Sequence, residues 1–97
     1  MKQSRSVRRR YRCLACGYPG LTENPRPKSG GGSFEICPCC GYQFGVDDDD
    51  RGVTPSEHRQ RWVATGAPWF SRATRPPPRW SARVQLEKAF GKGSKKD

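Results

Sequence analysis

Two C-x-x-C pairs constrain this 97-residue chain more than any other feature. Each pair is followed by Gly-Tyr, so the pattern C-x-x-C-G-Y occurs twice: in residues 13–18, the first knuckle, and in residues 37–42, the second knuckle. Such a turn directs two thiolates at one ion, and its glycine allows the positive φ that follows. Two of these turns can place four sulfurs about 2.3 Å from one tetrahedral metal ion. We therefore predict four metal ligands: Cys13, Cys16, Cys37 and Cys40.

Four thiolates leave no open position for water on the metal, which is typical of a structural rather than a catalytic site. We expect one Zn²⁺ ion. Iron stays open as an alternative, because the two knuckles resemble those of rubredoxin. Rubredoxins typically have a longer, aromatic-rich insertion between the knuckles, whereas residues 24–33 here are mostly Pro, Gly and Ser. The insertion favours zinc.

Two further side chains could compete as ligands. Cys39 lies inside the second knuckle, and a C-x-C or C-C pair would fit a two-loop site poorly, so we expect a spare thiol beside the metal. Ligand exchange or redox sensing by Cys39 is the alternative. His58 is the single histidine, and we expect it at the surface or half-buried against Trp62.

The composition leaves little material for a hydrophobic core. Only 32% of the residues are apolar and the mean hydropathy is −0.98. We therefore expect a single small domain whose fold is stabilised by the bound metal. Apolar runs are too short to span a membrane, and the basic amino terminus lacks the apolar segment of a signal peptide. We expect a cytoplasmic protein.

The net charge of +10 is concentrated towards the ends of the chain. A basic arm of this kind can neutralise the phosphates of RNA or DNA, although a solvated tail has the same composition. The candidate nucleic-acid-binding residues in the arm are Arg5, Arg8, Arg9, Arg10 and Arg12.

Local signals predict short strands and one or two short helices. Apolar and polar residues alternate in 34–37 and 42–46, which favours a hairpin across the second knuckle. Thr54, Pro55 and Glu57 form a helix start, and this helix should run from Pro55 to about Thr65. A second helix is expected from about Ser81 to Phe90, before Gly91.

An aromatic segment follows the first predicted helix. We expect Trp62, Trp69, Phe70 and Trp80 to pack on the ribbon, because so small a domain needs large rings inside. The alternative is a stacking surface for nucleic-acid bases, since three arginines lie nearby in the sequence: Arg72, Arg75 and Arg79.

Residues 11–50 resemble the cysteine-rich CPCC domain family, which comprises small, mostly bacterial proteins of unknown function. The resemblance lies in C-x-x-C-G-Y, a Gly-rich loop, and Ser33-Phe34-Glu35-Ile36-Cys37-Pro38-Cys39-Cys40 before an acidic Asp47-Asp48. In that family the C-P-C-C tetrad usually opens the first knuckle, whereas here it opens the second. The resemblance implies a metal-held ribbon and no activity.

The sequence as a whole predicts a small α+β protein. We expect a disordered basic arm (1–10), a four-cysteine zinc ribbon with knuckles on short β-hairpins (11–52), a helical and aromatic extension (53–90) and a disordered tail (91–97). The expected function is a non-enzymatic module that binds RNA, DNA or a ribonucleoprotein, with no membrane and no small-molecule substrate. A protein-interaction adaptor and a rubredoxin-like electron carrier are the alternatives.

Overall fold

Two α-helices follow the cysteine-rich half of the chain in a computed structural model that describes residues 10–91. Helix α1 spans Pro55–Ala64 and helix α2 spans Ala82–Phe90. The predictions made for Arg5, Arg8, Arg9 and the terminal tail concern residues outside the described range. Neither helix is long and apolar enough to cross a membrane.

The β-bridges found within residues 10–91 are isolated antiparallel ones, one beside each knuckle. Tyr11 and Leu21 form one bridge and Ile36 and Gln43 form the other. Beside the second bridge, Phe34 has a φ of 69° and Gly45 a φ of 101°. Both segments therefore leave the extended conformation within two residues of the bridge, and the Phe34 amide still donates to the Phe44 carbonyl at 2.9 Å.

Side-chain caps fix where both helices begin. The Thr54 hydroxyl accepts a hydrogen bond from the Glu57 amide at 3.1 Å, and the Glu57 carboxylate accepts one from the Thr54 amide at 2.9 Å. This is a complete capping box. The Ser81 hydroxyl accepts from the Val84 amide at 3.2 Å at the start of α2. Caps satisfy amides that the first helical turn leaves without backbone partners.

The acidic turn before α1 is held by its own hydrogen bonds and by Arg26. The Asp47 carboxylate accepts from the Gln43 amide at 2.8 Å. The Arg26 guanidinium lies 3.2 Å from a carboxylate oxygen of Asp48 and 3.1 Å from one of Asp49. The turn thereby ties the end of the second knuckle to the loop between the knuckles.

The buried core is centred on the cysteines. It also contains Ala15, Leu21, Tyr42, Phe44 and Trp62. Burial raises the pKa of the Tyr42 phenol, whose hydroxyl donates a hydrogen bond to the carbonyl oxygen of Val53. The core thus surrounds the two knuckles, and α1 contributes Trp62 to it.

A row of aromatic rings connects the helices to the first knuckle. Ring centroids are 6.5 Å apart for Trp62 and Trp80, 5.2 Å for Trp69 and Trp80, and 5.6 Å for Tyr18 and Trp69. Phe70 differs from the expected packing, because its side chain stays 57% exposed while its ring contacts Gly41. The three tryptophans therefore pack against the core, and Phe70 remains at the surface.

Candidate metal centre

The structure brings the four predicted sulfurs together. The Sγ atoms of Cys13, Cys16, Cys37 and Cys40 all lie within 4.8 Å of one another, and all four residues are buried. Across the knuckles, the Cys13 and Cys40 sulfurs are 3.8 Å apart and the Cys16 and Cys37 sulfurs are 3.7 Å apart. Tetrahedral coordination at 2.3 Å requires sulfur–sulfur separations of about 3.8 Å. These two distances fit four thiolates around a single ion.

The two knuckles have the same backbone geometry. In the first, the Cys13 amide donates to the Tyr18 carbonyl at 2.8 Å and the Gly17 amide donates to the Cys13 carbonyl at 2.9 Å. The second repeats both bonds, from Cys37 to Tyr42 at 2.9 Å and from Gly41 to Cys37 at 2.8 Å. The φ angles of Gly17 and Gly41 are 85° and 84°. The repeated C-x-x-C-G-Y pattern is therefore a repeated turn.

The thiols in the cluster affect one another's ionisation. Hydrogen bonds with the thiols of Cys16, Cys37 and Cys40 hold the pKa of Cys13 far below its usual range. The same network raises the pKa of Cys16, mainly through its hydrogen bond with Cys13. Ionisation of several thiols in one buried site requires a compensating cation. This donor set fits a soft or borderline metal such as zinc or iron.

Donors from the helical half of the chain bind carbonyl oxygens in the first knuckle. The Arg59 guanidinium donates to the carbonyl oxygen of Ala15 at 2.7 Å and to that of Leu14 at 3.1 Å. It also lies over the Phe90 ring, 3.9 Å from its centroid. One side chain of α1 therefore holds both the first knuckle and the end of α2.

Comparable donors bind the second knuckle. The Phe70 amide donates to the Cys39 carbonyl at 2.9 Å and the Ser71 amide donates to the Pro38 carbonyl at 2.8 Å. The His58 Nε2 atom lies 3.0 Å from the Cys40 carbonyl oxygen. Three successive carbonyls of the second knuckle are thus contacted by residues after position 57, which helps to fix the turn that carries Cys37 and Cys40.

Cys39 lies outside the four-sulfur group, although it is fully buried. Its sulfur is 3.4 Å from the side-chain nitrogen of Gln85, which also donates to the Cys16 carbonyl at 2.9 Å. The Gln85 side-chain oxygen accepts from the Trp80 indole at 3.0 Å. Gln85 is only 7% exposed, so it connects α2 to both knuckles through buried hydrogen bonds.

His58 is half-buried and also lies outside the sulfur group. Its ring packs on Tyr42, with centroids 5.0 Å apart; the expected neighbour was Trp62. In the basic arm, Arg10 is exposed, and Arg12 donates to the Gly17 carbonyl at 2.9 Å. Arg12 therefore supports the first knuckle.

The sequence did not single out Arg59 or Gln85. Both are polar residues on short helices, and nothing in their immediate neighbours indicates a distant carbonyl partner. One sequence feature could have pointed to them. The two knuckles have too few residues to cover their own backbone, and a C-terminal extension of aromatic and polar residues follows them.

Comparisons with known proteins give two similar sequences, both from Bacillus subtilis (strain 168). The uncharacterized protein YoaQ is 38% identical over 74 residues, covering 62% of this chain and 63% of its own length. The uncharacterized protein YozI is 35% identical over 71 residues, covering 58% of this chain and 59% of its own length. The chain thus spans less than two thirds of each relative. No family model matches the chain, and no solved structure matches it.

The findings together show a small cysteine-rich protein with four buried thiols placed to hold a metal ion. The relatives' names assign no activity. Because no family model matches the chain, the resemblance to the CPCC family stays a prediction.

Proposed function

We propose that this chain is a small non-enzymatic binding module that folds around one structural Zn²⁺ ion. Cys13, Cys16, Cys37 and Cys40 would hold the ion. The observation that carries the proposal is the pair of cross-knuckle sulfur distances, 3.8 Å and 3.7 Å, in a buried group of four thiols. Four protein ligands fill a tetrahedral zinc site, so the ion supplies folding free energy and offers no position for a substrate.

Metal analysis of the full-length protein tests the site. We expect one zinc per chain, a colourless protein, and cooperative loss of helix when a strong chelator removes the metal. A red protein with thiolate-to-iron absorbance would instead support the rubredoxin-like electron carrier. A protein that stays folded and metal-free at neutral pH would contradict a structural metal of either kind.

The zinc-ribbon class is likewise part of this proposal. Two knuckles with identical turns and one antiparallel bridge each are what a minimal ribbon requires. Residence in the cytoplasm agrees with thiols kept reduced for a metal. The first cysteine pair, the second pair and the helical extension would then form one folding unit, because contacts from residues 58–90 reach both knuckles.

Nucleic acid is the partner that the charge favours. The chain carries +10, and residues 59–88 contain seven basic side chains against a single acidic one. Three arginines between the helices are exposed: Arg72, Arg75 and Arg79. Asp47, Asp48 and Asp49 contact Arg26 and Arg51 instead, on the turn before α1. Exposed arginines without neighbouring acids are typical of phosphate-binding surfaces.

A salt titration of binding to a single-stranded oligonucleotide and to a duplex tests this partner. Two full-length variants separate the contributions: Arg5, Arg8, Arg9 and Arg10 changed to Gln in one, and Arg72, Arg75 and Arg79 changed to Gln in the other. If the arm contacts phosphates, the first variant should lower the slope of log K against log salt by about 3 on single strands. If the wild type binds no nucleic acid at physiological salt, the proposed nucleic-acid partner is wrong.

An adaptor for a protein partner is the second candidate. It is favoured by exposed apolar side chains near the second knuckle, where Phe34 is 60%, Phe70 57% and Ile36 48% exposed. Clusters of exposed apolar residues mark interaction sites. Substitution of Phe34 with Ser would weaken a protein complex but leave binding to nucleic acid unchanged if the two partners use separate surfaces.

A further inference from the structure

A groove of about 350 Å³ lies between the two knuckles and the segment that follows α1. Its apolar walls are formed by Tyr18, Ile36, Pro38 and Phe70, and its polar edge includes Thr22 and Thr74. We propose that this groove binds an unpaired base of a single-stranded nucleic acid, with Phe70 as the stacking platform. This role of the groove rests on the proposed nucleic-acid partner, whose bases it would bind.

The Phe70 ring is fixed on one side and open on the other. A Cβ atom at Gly41 would lie only 2.7 Å from the ring, so the ring rests directly on the knuckle backbone. The Phe70 and Ser71 amides are anchored to the Cys39 and Pro38 carbonyls. More than half of the side chain is nevertheless exposed. A ring that is already immobilised loses little conformational entropy when a base stacks on its open side.

The turn after Phe70 is also rigid. The Ser71 hydroxyl accepts from the amides of Ala73 at 3.1 Å and Thr74 at 2.9 Å. The Trp69 indole donates to the Thr74 carbonyl at 2.7 Å. Arg72 lies within this turn and Arg75 directly follows it, and both are exposed. Each arginine therefore directly follows a residue that lines the groove, Ser71 or Thr74, within reach of the phosphates that would flank a stacked base.

Glu35 is the acidic residue that lines the groove, and its carboxylate is already bound. It accepts from the Thr22 amide at 3.0 Å, the Thr22 hydroxyl at 3.1 Å and the Glu23 amide at 3.0 Å. These donors offset much of its negative charge. Adjacent arginines and a carboxylate that is already hydrogen-bonded favour a polyanion with flat apolar bases over an apolar peptide, which would gain nothing from the cations.

Fluorescence anisotropy with the full-length, metal-loaded protein tests the groove. One probe is a 12-nucleotide single strand, and the other is a strand of equal length in which every nucleotide is abasic. Both strands have the same phosphates, and only the first has bases. The main variant is Phe70→Leu, which keeps an apolar group on Gly41 and removes the aromatic face. Phe70→Trp is the matched control because it keeps that face.

We expect Phe70→Leu to weaken binding of the single strand by about tenfold, which is typical for loss of one stacked base, and to leave binding of the abasic strand unchanged. Phe70→Trp should bind both probes as the wild type does. Metal content and the thermal midpoint of Phe70→Leu establish that the variant is folded.

Three results would count against the groove in different ways. If Phe70→Leu binds the single strand as tightly as the wild type, the groove is not the site, while the nucleic-acid partner stands. If the wild type binds both probes equally, only phosphates are recognised. If it binds neither, the proposed partner itself fails.

Discussion

The side-chain amide of Gln85 donates a hydrogen bond to the carbonyl oxygen of Cys16, 69 residues earlier in the chain, at 2.9 Å. The same nitrogen lies 3.4 Å from the sulfur of Cys39 in the second knuckle. The last helix is therefore joined to both halves of the cysteine cluster by one buried polar group. Removal of this group should therefore destabilise both the metal site and the packing of the helix.

Gln85→Met tests this connection because methionine has a similar volume and no donor. We expect the variant to lose about 1–3 kcal/mol of unfolding free energy, since the Cys16 carbonyl and the Trp80 indole would be buried without their partner. Urea unfolding of the metal-loaded protein measures the loss. Gln60→Met on the exposed side of α1 is the control and should change stability by less than about 0.5 kcal/mol. Equal stability of the two variants would show that the bonds of Gln85 contribute nothing.

Lysine should not be able to replace Arg59 without loss of stability. Its guanidinium reaches two carbonyl oxygens and lies flat over the Phe90 ring, a geometry that an ammonium group cannot reproduce. We expect Arg59→Lys and Arg59→Ala to lower the thermal midpoint by similar amounts, corresponding to about 1–2 kcal/mol. Arg61→Ala, at an exposed position on the same helix, serves as the control. Full rescue by lysine would mean that charge alone matters.

Single substitutions of the cysteines distinguish the four metal ligands from Cys39, which is buried beside them. Cys13→Ser and Cys40→Ser should lose the metal and unfold the domain, because a structural site tolerates no missing ligand. Cys39→Ser should keep one metal per chain, since its sulfur lies outside the group of four. Metal content and circular dichroism of the three variants decide the ligand set. A folded Cys40→Ser protein that retains metal would overturn it.

Gly41→Ala should destabilise the protein more than Gly52→Ala. Both glycines have a positive φ, 84° and 74°, so each substitution introduces backbone strain of about 1–2 kcal/mol. At Gly41 the new methyl group would also meet the Phe70 ring, whereas nothing lies within 4 Å at Gly52. Thermal unfolding compares the two. Equal shifts in the midpoint would indicate that Phe70 moves aside without cost.

The elements that could be predicted from the sequence are those specified by neighbouring residues. The spacing of the cysteines predicted the group of four sulfurs because a C-x-x-C-G turn is a local structure. The cap at Thr54 located the start of α1, since a cap is decided within four residues. In each case the physical cause and the sequence signal occupy the same short stretch.

The features that escaped prediction depend on distant partners or on unusual backbone angles. Phe34 belongs to an alternating pattern that favours a strand, yet its φ of 69° ends the extended conformation there. Phe70 is apolar and was expected inside, but its amide is fixed to the Cys39 carbonyl and its side chain stays exposed. Gln85 is polar and on a helix, so the sequence gives no reason to bury it. Only the assembled fold supplies the partners of these residues.

The contact between Gln85 and the knuckles also has a consequence for the order of events during synthesis. Gln85 follows Cys39 by 46 residues, so every thiol of the cluster leaves the ribosome well before α2 is complete. A metal ion held by the four cysteines could therefore bind before the Gln85 bonds form, and α2 would then join two knuckles that the ion has already brought together.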